Sequence, residues 1–534
     1  MAKTPLLSSL QSLWLDLARS RRTGIPLDEV RALRAEHPRV SRRQVLVGAA
    51  AAAAASALPG RALARRQASI GIVGGGIAGL NCALTLADAG VDSTVYEASD
   101  RVGGRMFSNR TGYWNAGQVT EWGGELIDTA HETVQALAGR YGLELDDLLD
   151  AQPKRSDDVY FINGRYYPKA QADADFAEIF DAVVADSDAA PFPTLFDSFT
   201  PEARELDRMT VYDYIESRVP GGHASPLGEV LDLAYAIEYG ADTTDQSALN
   251  ILYLLAFQPD EERLALYGES DEKFHIRGGN QQLPEAIARD LGDRVTRGER
   301  LVKIARISDG RYRLTFERGG STREVTHDFV VLALPFAVLA EIDFSQAGFD
   351  ALKRKAIREQ GRGKNGKLQL QFRRREWLGR GPWPGSSNGS SYADTGYQAS
   401  WEATRAQAGD PGILVLYSGG SVSAAMQTDR AFATASNRDV EADARRGLRQ
   451  ISRVYPGLDW NGKATQSLPH LSPLFRASYS FYRPGQYTTF AGYEGVRQRR
   501  VLFCGEHTST DFQGFMEGGA TEGARAGEEL LALL

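Results

Sequence analysis

Residues 69–80 read SIGIVGGGIAGL, and the question they pose is whether their glycines are a nucleotide loop or an accident of composition. Glycine supplies 55 of 534 residues, so a lone G-x-G-x-x-G decides nothing in this chain, and its surroundings must decide instead. Ser69 to Val73 reads as a short buried strand. Gly74-Gly75-Gly76-Ile77-Ala78-Gly79 reads as the turn, and Leu80 to Ala89 has apolar positions at helical spacing. Val91 to Tyr96 then alternates as a second strand and ends in Glu97. A carboxylate there can accept both ribose hydroxyl hydrogens of a dinucleotide, while the helix N-terminus faces the pyrophosphate. The expected fold class is therefore α/β, with a Rossmann-type domain at its centre.

Working outward, length predicts two to four domains, and 42% hydrophobic with 24% charged residues fits a globular chain. The longest apolar run, Val45 to Leu58, is 14 residues of mostly alanine, shorter than a membrane span, so no permanent membrane anchor is expected. Its flanks have the layout of a twin-arginine export signal: Ser41-Arg42-Arg43 before it and Ala62-Leu63-Ala64 after it. Residues 1–64 carry ten Lys or Arg and four Asp or Glu, a net of +6 within a chain of net −8, which leaves −14 on the remainder. Such an acidic remainder disfavours nucleic acid and mildly favours cationic small molecules. Cys82 and Cys504 are the only cysteines and are expected to be buried free thiols; no metal site is expected.

Beyond Glu97 the chain continues EASDRVGGRMFSNR, and near its end it reads LFCGEHTSTDFQGFMEGGATEGARAGEEL. In both segments the sequence resembles the flavin amine oxidase family. FHIRGGNQQLPEAIARDL and FVVLALPFAVL are similar to the family segments through which the chain re-enters the flavin domain. The resemblance runs from about Ser69 to the C-terminus and implies a noncovalent FAD, because Ser478 stands where some relatives attach the flavin through cysteine. A bound FAD reconciles an export signal with a dinucleotide loop, since the twin-arginine route carries proteins already folded around their cofactor. The expected location is periplasmic or secreted, with the export machinery as a partner.

The architecture this implies is an FAD-binding domain assembled from separated segments, 65–145, 271–340 and 467–534. An α+β substrate domain comes from 146–270 and 341–466, after a leader at 1–64. Within the substrate segments VYFINGRYYP signals a hairpin turning at Asn163-Gly164, LGEVLDLAYAIEYG and QSALNILYLLAF read as helices, KLQLQF alternates as a strand, and GSSNGSSYADTG reads as a loop.

Cofactor contacts are carried over from the resemblance onto Gly74, Gly76, Ile77, Ala78, Gly79, Glu97, Ala98, Arg101, Gly104, Arg105, Gly123, Gly124, Leu301, Gly505, Glu506 and Met516. Arg105 is favoured over Arg101 for the cofactor; Glu506 would accept from the ribityl chain or an ordered water. The helix opening at Met516 aims its positive end at the flavin ring. Lys367 stands where the family carries a lysine that holds a water against flavin N5, with Lys364 competing for the role. Tyr479 and Phe515 match the two aromatics that guide a neutral amine. Leu126 occupies the place where L-amino-acid oxidases put an arginine for the substrate carboxylate, whereas Asp128 falls where plant polyamine oxidases place an acid, with Glu125 close by.

The resemblance thus implies oxidation of a primary or secondary amine, polyamines included, by hydride transfer to flavin N5. The product is an imine or aldehyde and, with molecular oxygen as acceptor, hydrogen peroxide. An L-amino-acid oxidase drawing on Arg277 or Arg476, an amine dehydrogenase with another acceptor, a flavin desaturase or isomerase, and a redox-inert binding protein are the alternatives.

Overall fold

The computed structural model describes residues 68–260, 263–426 and 428–534; the export signal read at residues 41–64 lies outside them. The strand Ile70–Val73 is buried along its whole length, which its uninterrupted IGIV sequence requires. It pairs in parallel with Thr94–Glu97 on one side and Phe329–Leu332 on the other. Val501–Phe503 and Val295–Arg297 extend the sheet to five strands, so three widely separated stretches build one nucleotide sheet. The chain leaves Ile70–Val73 in one direction and Phe329–Leu332 in the other, and the crevice between their carboxyl ends is where such sheets bind ligands. The glycine turn leads into the helix Ile77–Asp88, one turn earlier than the apolar spacing alone suggests, because Gly76 already sits in the extended N-cap conformation.

The C-terminal helix Met516–Leu533 lies against Ile77–Asp88 along a stripe of small residues. A Cβ on Gly523 would stand 2.2 Å from the Ala78 carbonyl oxygen, and one on Gly527 2.8 Å from the Thr85 Cβ. Cys82 and Cys504 are free and buried beneath this layer, as expected.

The second layer is an eight-stranded sheet whose strands come from both intervening stretches. Asn163 and Gly164, both at positive φ, turn the hairpin between Asp157–Ile162 and Arg165–Tyr167. KLQLQF lies within the central strand Gly366–Phe372, and its polar face is not solvated: all seven residues are buried. Gln369 donates to the Glu121 carbonyl oxygen at 2.8 Å and Gln371 to Gln118 at 2.8 Å, so this face packs on the segment leading to the double glycine Gly123-Gly124. Ser387–Ala393, read from its serines as a loop, is instead a strand between Asp157–Ile162 and Ala399–Glu402. Its small hydroxyls are satisfied inside the sheet, Ser391 with Tyr397 and Ser400 at 2.7 Å each. Helices Pro226–Tyr239 and Ala248–Leu255 form where the sequence places them; the first packs on the strands Asp157–Ile162, Ser387–Ala393 and Ala399–Glu402, and the second on neighbouring helices.

Candidate active site

A cavity of about 480 Å³ runs from the glycine turn to the eight-stranded sheet. Its nucleotide end is built from backbone. Gly74 sits at φ +112°, and a Cβ there would stand 2.4 Å from the Ala333 carbonyl oxygen. Only glycine lets the turn pass so close to the neighbouring strand. Neither the helix starting at Ile77 nor the one starting at Met516 has a side-chain N-cap, and Ile77, Ala78 and Met516 all line the cavity. Uncapped amides at two helix N-termini facing one space are a ready site for phosphate oxygens and for negative charge on a flavin ring. Glu97 accepts from the Gly75 amide at 2.7 Å and from the Ser99 amide and hydroxyl at 2.8 and 2.7 Å, which fixes its carboxylate at the cavity wall. The cradle fits FAD.

Arg105 and Glu506 tie the two ends of the chain together. The Arg105 guanidinium donates to Glu506 at 2.8 Å and to the Ser478 carbonyl oxygen at 2.9 Å. The Glu506 carboxylate also accepts from the Ser480 hydroxyl at 2.8 Å and the Gly514 amide at 3.0 Å. Burial alone would raise this carboxyl, but the Arg105 charge holds it below the ordinary glutamate range. Glu506 therefore fastens three segments together, and it lines the cavity.

Register places Lys367. On the strand Gly366–Phe372 it stands across from Tyr417 on one side and Ser467 on the other, with its side chain on the face that meets the flavin domain. Its ammonium donates to the Gly123 carbonyl oxygen at 2.8 Å and to Glu125 at 2.6 Å. Glu125 also accepts from the Trp401 indole at 2.9 Å. Burial would raise the Glu125 carboxyl, and the Lys367 charge together with these hydrogen bonds keeps it below the ordinary range. Lys364 lies outside the lining and is held through its amide by the Gly240 carbonyl oxygen at 2.7 Å.

Tyr479 donates to the Ile237 carbonyl oxygen at 2.9 Å, so the 3.1 Å contact with Tyr417 has Tyr417 as donor. Phe515 lines the cavity too, its ring 5.2 Å from the buried His131. Tyr417 and Trp401, rings 5.1 Å apart, join them as aromatic walls that motif reading missed. Each sits on a strand whose alternation shows that it is buried but not which cavity it meets.

The largest omission of sequence reasoning is acidic. Glu238 and Glu272 line the cavity, and among the described residues neither side chain has a hydrogen-bond or ion-pair partner. Burial and the charge of Asp128 push Glu238 up to about 7; burial, Asp128 and Glu238 push Glu272 up to about 8. Glu238 closes a periodic helix and Glu272 sits in a connecting stretch, so neither carries a local signal. A second cavity of about 340 Å³ adjoins the first, with Phe192 and Phe257 exposed on it.

Five predicted residues are not brought to the cofactor cavity. Asp128 faces the outer cavity, where its amide donates to His131 Nδ1 at 2.9 Å and its carboxylate accepts from the Glu272 amide at 3.1 Å. Arg101 folds back over the Phe107 ring at 3.8 Å and donates to the Gly104 carbonyl oxygen at 2.7 Å, bracing its own loop. Leu301 is a core residue opposite Phe316 on the strand Arg300–Arg306, because its apolar side chain packs inward. Gly79 serves packing: a Cβ there would lie 2.0 Å from the Gly74 carbonyl oxygen. Ala98, one residue past the strand end, is not part of the lining that Glu97 joins. Arg277 and Arg476 also lie outside it; Arg277 is paired with Glu144 and Asp146.

A family model described as flavin containing amine oxidoreductase matches residues 77–531. Among curated proteins the chain is 24% identical to a nicotine dehydrogenase of Pseudomonas putida, over 87% of this chain and 88% of that protein. It is 25% identical to an L-amino acid dehydrogenase of Synechocystis, over 87% and 94% respectively. Among solved structures, cyclohexylamine oxidase from Brevibacterium oxydans superposes with a TM-score of 0.73 at 19% identity, covering 88% of this chain and 99% of that one. A putrescine oxidase bound to putrescine gives 0.71 at 18%, covering 87% and 99%. With a family match spanning nearly all of the described residues and a cradle suited to the cofactor, the chain belongs to the flavin containing amine oxidoreductases and is an FAD-dependent oxidoreductase acting on amines.

Proposed function

We propose that the substrate is a primary or secondary amine without an α-carboxylate, oxidised at the carbon bearing nitrogen to an imine that water converts to an aldehyde. Bound FAD supplies the hydride acceptor at N5. One observation carries the reading: charge in the cavity is arranged for a cation. The lysine and arginine that line it, Lys367 and Arg105, are already paired with Glu125 and Glu506, while Glu238 and Glu272 face the space unpaired. A substrate carboxylate would meet Leu126 where an arginine is needed, with two acids across the cavity. The aromatic walls exclude water and shape the space around an apolar carbon.

Two unpaired acids in one cavity also favour an amine carrying a second cationic group, a diamine or polyamine, with Glu272 taking the place first read for Asp128 and Glu125. FAD is held noncovalently in this reading: Ser478 donates its hydroxyl to Asn365 at 2.5 Å, and neither cysteine lines the cavity. Export of the folded holoprotein by the twin-arginine route is supported by Arg42-Arg43, the short apolar run and Ala62-Leu63-Ala64.

The test is anaerobic. Holoprotein is mixed in turn with a monoamine, putrescine, spermidine and several L-amino acids while the visible flavin band is followed. Bleaching by amines and not by amino acids is expected; bleaching by amino acids alone overturns the reading. Readmitting air then separates molecular oxygen from another electron acceptor.

A further inference from the structure

The outer cavity and the cofactor cavity share six lining residues, Glu238, Tyr239, Tyr267, Ser270, Gln513 and Phe515. Glu238 is the one carboxylate among them. An amine with a nitrogen of ordinary basicity travels at neutral pH as an ammonium ion, yet only the neutral amine has the lone pair that drives loss of hydride from the adjacent carbon. Somewhere between solvent and the cofactor the proton must be left behind.

We propose that Glu238, at the junction of the two cavities, takes the proton from the incoming ammonium group, so that the amine reaches the aromatic walls neutral. The step balances as R–NH3⁺ plus carboxylate giving R–NH2 plus carboxylic acid, and needs no further reagent. This inference rests on the amine reading above.

Position supports it first. Glu238 is the penultimate residue of the helix Pro226–Tyr239, whose negative end faces the cavity and attracts a cation. That end is pinned in place. The Ile237 carbonyl oxygen accepts from Asn365 at 2.6 Å and from Tyr479 at 2.9 Å, and Gly240, at φ +65°, terminates the helix with its own carbonyl oxygen held by the Lys364 amide. The carboxylate thus stands one residue from the carbonyl that orients Tyr479. Its surroundings support it second. The acids facing it are Asp128 and Glu272. The other titratable groups near it are tyrosines, Tyr235 and Tyr239 on its own helix and Tyr267, Tyr392, Tyr417 and Tyr479 from neighbouring elements; all are raised by burial and stay neutral. Burial disfavours both the carboxylate and the ammonium, so on entry the two proton affinities converge and transfer becomes easy.

The experiment measures the second-order rate of anaerobic flavin bleaching against pH for wild type, Glu238→Gln and Glu238→Asp, each checked for FAD content and far-ultraviolet circular dichroism. A base acting on an ammonium substrate gives a wild-type profile that rises as Glu238 ionises, near pH 7, and falls above the amine's own pKa. In Glu238→Gln the profile instead rises up to the amine's pKa, with a loss of about a hundredfold or more at pH 7 that closes toward pH 10. Glu238→Asp restores part of the neutral-pH rate. A Glu238→Gln profile parallel to wild type overturns the proposal. On wild type alone, amines of different basicity must share the same acidic limb; a limb that moves with each amine's pKa overturns it too. Failure of every amine to bleach wild type sinks the amine reading itself, a result distinct from an unchanged profile in the variant.

Discussion

Lys367 shows how one side chain joins two domains. Its ammonium spends two of its three hydrogens on the Gly123 carbonyl oxygen and on Glu125, with the Trp401 ring 5.5 Å away, and one N–H remains for the reaction space. Both partners of the Lys367–Glu125 pair are buried, so removing one leaves an uncompensated charge, which is far more costly than removing both. Lys367→Met is expected to lower stability by about 3 kcal/mol, and Lys367→Met with Glu125→Leu to recover much of that. Flavin bleaching should slow by about tenfold or more in either variant, because the oriented N–H is lost in both. Thermal unfolding and single-turnover kinetics on the same samples check the two halves of this expectation. A lysine in an alternating strand is more often solvated, and nothing in KLQLQF itself says otherwise. What buries it is the segment carrying Glu121 to Glu125, more than 240 residues earlier in the chain, as the Lys367 to Glu125 separation records.

At the scale of elements, the C-terminal helix reads the cofactor loop through its glycines. Gly519, Gly523 and Gly527 recur every fourth position on one face of Met516–Leu533, and a Cβ on each would press on Ile77, Ala78 and Thr85 in turn. Ala78 lies in the first turn of Ile77–Asp88, the helix N-terminus that would meet the phosphates of a bound dinucleotide, so this contact fixes that end of the cradle. Gly523→Ala drives a methyl against the Ala78 carbonyl oxygen, which is backbone and cannot swing aside. A loss of about 1–3 kcal/mol is expected, with faster release of FAD, read by melting temperature and by recovery of flavin fluorescence after dilution. Glu517, in the same first turn, reaches across to cap the helix Glu132–Arg140, accepting from the Thr133 and Val134 amides at 2.8 Å each. The nucleotide turn, the second strand, the hairpin and the two substrate-side helices are legible in the sequence because each depends on short-range periodicity and turn chemistry. Ser387–Ala393 is not, since serines signal a loop until their neighbours satisfy them. Glu238 and Glu272 are not, since periodicity tells how deep a residue lies and not which cavity it faces.

Taken as a whole, the molecule keeps the two unpaired carboxyl groups of one chamber, Glu238 and Glu272, above their ordinary range, and that has a thermodynamic consequence beyond catalysis. Glu272, near 8, and Glu238, near 7, bind protons in the folded protein at pH values where the unfolded chain, near 4.5, has released them. Between about pH 5 and 8 the folded state therefore holds more protons at these positions, and their contribution to stability falls as pH rises through the window. Other buried groups titrate in the same range: Glu494, raised by burial to about 7, has the same sign, and Lys353 and His507, both lowered by burial, have the opposite one. The quantity to measure is accordingly the difference between wild type and a Glu238→Gln, Glu272→Gln double variant, in which those other groups cancel. The variant's advantage in melting temperature should grow by about 2–4 °C between pH 5 and pH 8. A diamine entering as a dication hands one proton to an ionised Glu238 and sets its other ammonium against an ionised Glu272, so its binding favours the form in which both acids have first lost their protons. It should thus stabilise wild type more at pH 8 than at pH 5, and the double variant little at either. A constant difference across this range would mean that Glu238 and Glu272 titrate alike in the folded and unfolded chain, and the cavity would have lost its preference for a cation.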